Sequence, residues 1–246
     1  MIAPQKSGFM KHVFCIFLVI PLLFQGIPNV NAEQSFEELN GVDFLSELIF
    51  FGESTTTHLR CRSKLRSSQI WANESGTARL DSNLAYRPVI DPQSGRRALP
   101  VDLAMELQPK YLVLSFGLNG IAAFSQDVDD YLRKYQKLMD DISQVSPNTR
   151  FLIQSIYPVA IAELQQNWSF NDTPKAINEK IELLNHSLQA YCNGLKNADF
   201  IDTSCVLKDD AGFLRSDYTT DGIHLTEAAY QVILKEISLQ KWRSNS

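Results

Sequence analysis

Apolar runs of strand length alternate with amphipathic helical patterns along most of this chain. Most of the runs are continuously apolar, which is typical of strands buried on both faces of a sheet. We predict strands at Leu48 to Phe51, Tyr111 to Phe116, Phe151 to Ile156 and Asp199 to Asp202. Strands that alternate with helices are typical of a parallel sheet covered by helices on both sides, so the pattern predicts an α/β fold.

Three helices are predicted from the remaining apolar pattern. Apolar residues recur at steps of three and four from residue 128 to residue 145, with Ser125 as the expected N-cap. Thr173 followed by Pro174 marks the start of a second helix, and a third starts at Thr226. Residues 68–97 are polar and aperiodic, so we expect a loop with at most one short strand there.

The first 32 residues differ from the rest of the chain. Lys6 and Lys11 precede an uncharged apolar run from Val13 to Phe24, and a small residue, Ala32, ends the segment. This pattern predicts a secretory signal peptide, 1–32, that is cleaved after Ala32 and directs the protein to the cell envelope or the exterior. The run is shorter than the ~20 residues of a membrane-spanning helix, although an uncleaved anchor stays open. Residues 33–246 contain no linker or repeat and are predicted to form one domain.

The charge of the chain limits its partners. The formal net charge is −5, and removal of the predicted signal peptide takes away two lysines and no acid, which gives −7. An acidic surface does not favour nucleic acid or anionic lipid, so we expect neither as a partner and no stable membrane insertion after cleavage.

The cysteines give no metal-binding pattern. Cys61, Cys192 and Cys205 remain after the predicted cleavage, with no metal-ligand spacing among them. Cys192 and Cys205 could form one disulfide outside the cytoplasm, or all three could be unpaired buried thiols. Both alternatives are compatible with the sequence.

Three polar segments follow predicted strands or precede a predicted helix. Glu53 and Ser54 come directly after the first strand, Asn119 follows the second in "FGLNG", and Asp221 and His224 precede the last helix in "DGIHLT". Ligands of open α/β sheets bind at the carboxyl ends of the strands, so these side chains could share a crevice. Each segment alone has a common structural explanation as a helix cap or a turn.

The order of the three segments resembles that of the SGNH/GDSL hydrolase family. "FFGEST" is similar to the first conserved block of the family, "SFGLNG" to the third and "TDGIHLT" to the fifth. The resemblance extends over essentially all of residues 33–246. It implies a three-layer α/β/α, flavodoxin-like fold with a mainly parallel sheet.

The resemblance also implies roles for individual residues. Ser54 would be the nucleophile, His224 the general base and then acid, and Asp221 the carboxylate that orients the imidazole. The oxyanion donors would be the Ser54 N–H, the Asn119 side chain and a glycine N–H. Gly76 in "ESGTARL" is the candidate for that glycine, and Gly95 is the alternative.

Two positions depart from the family pattern. Glu53 stands where an aspartate usually precedes the serine, and Gly120 stands where an aspartate often follows the asparagine. In the family those acids usually support loop geometry, so the departures bear on rate and substrate more than on reaction type. His58, one turn after Ser54, is a further candidate to line the pocket.

The leading hypothesis is therefore an exported serine esterase. It would remove a short, acetyl-like acyl group from a carbohydrate or cell-envelope glycan through an acyl-enzyme, with no metal and no cofactor. One alternative is an acyltransferase or lipid esterase that uses the same residues. Another is a non-catalytic, glycan-binding member of the fold.

Overall fold

The central feature of the computed structural model is a parallel sheet of five strands. The structure describes residues 43–73, 75–91, 93–161 and 172–239. The large sheet contains β1 (Leu48–Gly52), β2 (Ile70–Trp71), β5 (Tyr111–Ser115), β6 (Arg150–Gln154) and β7 (Ala198–Ile201), in the spatial order β2-β1-β5-β6-β7. A separate antiparallel pair is formed by β3 (Val89–Ile90) and β4 (Arg97–Ala98).

Helices cover both faces of the large sheet. They are α1 (Ser54–Arg62), α2 (Pro100–Leu107), α3 (Ile121–Phe124), α4 (Val128–Val145), α5 (Pro174–Cys192) and α6 (Glu227–Leu239). Short 3₁₀ turns span Asp43–Glu47, Ser67–Gln69, Leu84–Tyr86, Cys205–Leu207 and Ser216–Tyr218. The described residues thus form the predicted three-layer α/β/α arrangement.

The two cores follow from the alternation of side chains along the strands. Phe50 and Val113 point to the face covered by α1 and α6, where they join Tyr230. Phe51 and Leu114 point to the opposite face, which α2 to α5 cover. Both faces are buried, so continuous apolar runs, rather than alternating ones, encode these strands.

The strand order positions the functional loops. β1 pairs with β2 on one side and with β5 on the other, and Gly52 lies opposite Ser115 at the carboxyl ends. Counted along the chain within the large sheet, the order is 2-1-3-4-5, in which the chain reverses direction across the sheet between β1 and β5. Ligands of such sheets bind at this switch point. The segments after β1 and β5 therefore meet there.

Most of the predicted elements are confirmed, and a few are corrected. The four predicted strands lie within a residue or two of β1, β5, β6 and β7, and Thr173 caps α5 by accepting a hydrogen bond from the Ala176 N–H. Ser125 is not the cap of α4. It ends α3, and Asp127 caps α4 instead by accepting a hydrogen bond from the Asp130 N–H.

The stretch from residue 68 to residue 97 contains more structure than expected. It includes β2, β3 and the first residue of β4, where at most one short strand was predicted. Two-residue strands carry too little periodicity to be recognised from sequence.

Two further expectations bear on the compartment of the protein. Cys61, Cys192 and Cys205 are free thiols, and only Cys192 is buried, so neither the disulfide nor the set of three buried thiols matches the structure. The predicted signal peptide lies outside the described residues and stays a prediction. Within the described residues, no helix has the length and apolar character needed to cross a bilayer.

Candidate active site

Ser54 is the first residue of α1, directly after the end of β1. Close packing holds this turn in place, because a side chain on Gly52 would lie 2.0 Å from the Thr56 Oγ1 and 2.7 Å from the Ser115 carbonyl oxygen. The Ser54 side chain is only partly buried and lines a pocket at the carboxyl end of the sheet. Its own N–H lies in the first turn of a helix, where backbone N–H groups are free to face an anion.

Glu53 ties the segment after β1 to the segment after β5. Its side chain is buried and accepts hydrogen bonds from the backbone N–H groups of Leu118, at 2.9 Å, and Asn119, at 3.1 Å. Burial raises the pKa of Glu53 to about 7, and the hydrogen bonds from Asn119 and Leu118 act in the opposite direction. The glutamate therefore supports loop geometry, which is the role that the resemblance implies for the aspartate it replaces.

Asn119 and Gly76 lie on neighbouring walls of the pocket. The Asn119 side-chain amide donates to the carbonyl oxygens of Ala78, at 2.9 Å, and Gly76, at 3.4 Å. Gly76 has a φ of +65°, and a Cβ there would lie 3.0 Å from both the Cα and the Cβ of Ser54. The Gly76 N–H donates a long hydrogen bond, 3.4 Å, to the Asn73 carbonyl oxygen.

The alternative glycine, Gly95, does not line this pocket. It lies in the turn between β3 and β4, where its N–H donates to the Asp91 carbonyl oxygen at 2.9 Å. A side chain at Gly95 would meet nothing within 4 Å. Of the two candidates, only Gly76 contacts the Ser54 segment.

Asp221 and His224 form a hydrogen-bonded pair before α6. The Oδ2 of Asp221 lies 2.6 Å from the His224 Nδ1, and Oδ1 accepts the backbone N–H groups of His224, at 2.8 Å, and Ile223, at 3.0 Å. Burial raises the pKa of Asp221, but the hydrogen bonds from the His224 ring and the two N–H groups outweigh it and hold the pKa below its usual value. The carboxylate thus stays ionised and fixes the orientation of the ring.

One pocket of about 470 Å³ brings most of the predicted site residues together. Its described lining consists of Ser54, Thr57, His58, Ser75, Gly76, Thr77, Arg79, Asn119, Gly120 and His224. Asp221 is not part of this lining and contacts His224 at Nδ1, which leaves Nε2 free of this contact. Segments that are far apart in the sequence therefore meet at one crevice, at the switch point of the sheet.

A second imidazole lies against His224. The centroids of the His58 and His224 rings are 4.3 Å apart. Burial lowers the pKa of His58 to about 4, with further lowering by His224 and Arg62 that Asp221 partly offsets. His58 is therefore neutral near pH 7 and adds no charge beside His224.

The pocket walls include residues that the sequence patterns do not single out. Ser75, Thr77 and Arg79 come from the aperiodic stretch after β2, and Thr57 lies one turn into α1. Their spacing follows no motif, so only the fold shows that they face Ser54. In the described part of the chain, no group of three or more His, Cys, Asp or Glu side chains is arranged to hold a metal ion.

Comparison with known families identifies the chain. The model of the GDSL-like Lipase/Acylhydrolase family matches residues 50–232, which is most of the sequence. The chain belongs to this family. The three-layer fold described above is the fold of the family.

Similar proteins come from several bacteria. The GDSL-like hydrolase is 24% identical over 217 residues to the N-acylneuraminate cytidylyltransferase of Escherichia coli O18:K1:H7 (strain RS218 / NMEC), covering 88% of this chain and 44% of the relative. This chain thus spans less than half of the length of the E. coli relative.

Two solved structures share the fold. A DUF4886 family protein from Bacteroides uniformis ATCC 8492 has a TM-score of 0.52 and 12% identity, covering 78% of this chain and 82% of the other. A protein from Streptococcus pneumonia, provisionally named a platelet activating factor, has a TM-score of 0.51 and 20% identity, covering 82% and 88%.

Proposed function

We propose that this hydrolase removes a short, acetyl-like acyl group from a carbohydrate or glycan ester through a Ser54–His224–Asp221 triad. The observation that carries the proposal is the Asp221–His224 pair, 2.6 Å between Oδ2 and Nδ1, on the wall of the pocket that Ser54 lines. A carboxylate bonded to Nδ1 leaves Nε2 of the same ring to accept a proton. This is the arrangement that a serine nucleophile needs, because a neutral hydroxyl is a poor nucleophile.

The reaction follows from these groups. His224 accepts the Ser54 proton while the hydroxyl oxygen attacks the ester carbonyl, and negative charge develops on the carbonyl oxygen. The Ser54 N–H, the Asn119 amide and the Gly76 N–H are the proposed donors to this oxyanion. One such donor contributes roughly 2.7 to 4 kcal/mol to the stabilisation of the transition state. His224 then protonates the leaving alkoxide, and water attacks the acyl-enzyme in the same way.

The pocket has room for more than the acyl group. The pocket of about 470 Å³ is several times larger than an acetyl group, so most of it is free for the alcohol part of the substrate. Its described lining is rich in hydroxyl, amide and imidazole groups, which suit a hydroxylated alcohol better than an aliphatic chain. The E. coli relative is named for an N-acylneuraminate, which is a sugar, and this also supports a carbohydrate substrate.

The proposal is tested by ester hydrolysis. The purified protein should hydrolyse p-nitrophenyl acetate, and Ser54→Ala should lower kcat by at least ~10³-fold, since removal of the nucleophile leaves only the remaining groups of the site. Ser75→Ala is the matched control, because Ser75 lines the same pocket but is exposed and bonded to Thr77. Equal activity of the wild type and Ser54→Ala would refute the proposed triad.

We also infer that the protein is exported to the cell envelope or the exterior. The basic and apolar pattern of residues 1–32 supports this inference. Amino-terminal sequencing of the extracellular protein should begin at Glu33, and a cell-associated product that retains Met1 would contradict cleavage.

A further inference from the structure

Arg79 gives the pocket a permanent positive charge. Of the ten described residues that line the pocket, it is the only one with a side chain that is always charged. Its guanidinium forms no salt bridge with any carboxylate of the described residues, and its side chain is exposed. Ten other cationic side chains and one imidazole in the described part do have such partners.

The guanidinium has a defined position beside the proposed oxyanion donor Asn119. It lies 5.1 Å from the centre of the Phe124 ring, over its face. It also packs on Gly120, where a Cβ would lie 2.5 Å from the Arg79 Nε. Gly120 therefore leaves the space that the guanidinium occupies, at the position where the family often has an aspartate. Gly120 itself offers no carboxylate to Arg79, and no other described residue forms a salt bridge with it.

Two described carboxylates beside the site, those of Asp221 and Glu53, have other partners. Asp221 accepts hydrogen bonds from His224 and Ile223, and buried Glu53 accepts the N–H groups of Leu118 and Asn119. The chain as a whole is acidic, with a formal charge of −5, so Arg79 is not part of a generally basic surface. A fixed cation on the wall of a pocket in an acidic protein indicates complementarity to an anion.

We propose that Arg79 binds an anionic group, carboxylate or phosphate, on the alcohol part of the ester substrate. This inference rests on the proposed function and names the substrate class more narrowly. Under the proposed function, the acyl carbonyl lies beside Ser54, Gly76 and Asn119. Arg79 lines the same pocket and packs on Gly120, the residue after Asn119, so it is available to the alcohol part of the substrate. The planar guanidinium can donate two parallel hydrogen bonds to either anion. The deacylated alcohol would leave with its anionic group unchanged.

Matched esters test the proposal directly. The 3- and 4-acetoxybenzoates carry a carboxylate, their methyl esters are neutral, and 3- and 4-acetoxyphenyl phosphate carry a phosphate. The kcat/KM of each is measured for the wild type, Arg79→Met and Arg79→Glu. The ratio of kcat/KM between an anionic and a neutral ester is then compared between the wild type and each variant. Differences in leaving-group reactivity between the esters cancel in this comparison. Arg97→Met is the control, because Arg97 is exposed on β4, outside the pocket, and its loss changes the net charge equally.

The preference for an anionic ester is its kcat/KM divided by that of the neutral methyl ester with the same ring position. For at least one anionic ester, we expect this ratio to be about tenfold higher in the wild type than in Arg79→Met. Arg79→Glu should lower it further, and Arg97→Met should leave it unchanged. Added salt should reduce the preference of the wild type but not that of Arg79→Met, since an exposed ion pair is screened. Whether the carboxylate or the phosphate series shows the larger effect identifies the anion.

The outcomes separate this inference from the proposed function. If neutral and anionic esters are hydrolysed but their ratio is the same in the wild type and Arg79→Met, the anion site is refuted and the triad stands. A uniform loss for all esters in Arg79→Met would show that the arginine only packs on Phe124, which also refutes the site. Failure of the wild type to hydrolyse any of these esters would instead contradict the proposed function.

Discussion

Glu53→Gln tests the contact that joins the segments after β1 and β5. The glutamate accepts two backbone N–H groups, and both carboxyl oxygens are used, at 2.9 Å and 3.1 Å. Glutamine has nearly the same shape but only one acceptor oxygen, so one of the two N–H groups would face an NH₂ group. A buried donor left without a partner costs about 1–3 kcal/mol, and we take about 2 kcal/mol for this site. For a domain of this size, that corresponds to a decrease in Tm of roughly 4–8 °C.

The pH dependence of this decrease in stability gives a more specific test of the burial of Glu53. Burial raises the pKa of Glu53 from 4.5 to about 7 in the folded protein, so the folded state binds this proton more tightly than the unfolded chain does. The stability that results is fully present below about pH 4.5 and is lost as the pH rises through about 7. One pKa unit corresponds to about 1.4 kcal/mol, so the wild type should lose roughly 3 kcal/mol across this range.

Urea unfolding of both proteins at pH 5 and at pH 8 measures these quantities. Glutamine does not titrate, so the free-energy difference between the wild type and Glu53→Gln should be about 2 kcal/mol at pH 5 and much smaller, or reversed, at pH 8. Glu106→Gln is the control, because Glu106 is exposed on α2 and its replacement should change stability by less than ~0.5 kcal/mol at either pH. A difference that widens towards pH 8 would show that the two N–H groups hold Glu53 as an anion, and the reasoning from burial would be wrong.

Two further substitutions test the proposed triad and the proposed glycine donor. Asp221→Asn should lower kcat for p-nitrophenyl acetate on the order of 10³–10⁴-fold, because an amide that donates to Nδ1 of His224 fixes the wrong tautomer; retention of a tenth of the wild-type kcat would exclude this role. Gly76→Ala and Gly95→Ala place a methyl group at nearly equal φ, +65° and +67°, so each should cost about 1 kcal/mol of stability in thermal unfolding. Only Gly76→Ala should also lower kcat, by tenfold or more, since its methyl group would lie 3.0 Å from Ser54. Equal kcat values for the two glycine variants would contradict the placement of Gly76 at the reacting centre.

The sequence predicts the elements and residue types of the site better than their assembly. β1 and β5 are buried on both faces, so each appears as an apolar run, and the polar residues after each run can be recognised as site candidates. The pairing of Phe51 with both Trp71 and Leu114 cannot be read in the same way, because strand order depends on packing between distant segments. Only the order β2-β1-β5 shows that Ser54 and Asn119 flank one switch point.

The predicted cap and the missed strands differ from the structure for local physical reasons. Ser125 and Asp127 are both good N-cap residues, two positions apart, so composition alone does not choose between them. The choice is made by α3, which includes the residues just before Ser125 and leaves Asp127 as the first position free to accept the Asp130 N–H. β2, β3 and β4 have two residues each, and their positions depend on neighbours such as β1 rather than on a pattern of their own.

The two departures from the family pattern have different consequences in the structure. Glu53 is longer by one methylene than the aspartate it replaces, yet it still reaches the N–H groups of Leu118 and Asn119, so the connection between the two segments is kept. Gly120 removes a side chain and leaves room for the Arg79 guanidinium, whose Nε would lie 2.5 Å from a Cβ at this position. The first departure therefore preserves the geometry around Ser54, whereas the second changes the charge of the pocket wall. A substitution that preserves geometry bears on rate and stability, and one that exposes a cation bears on which ester is bound.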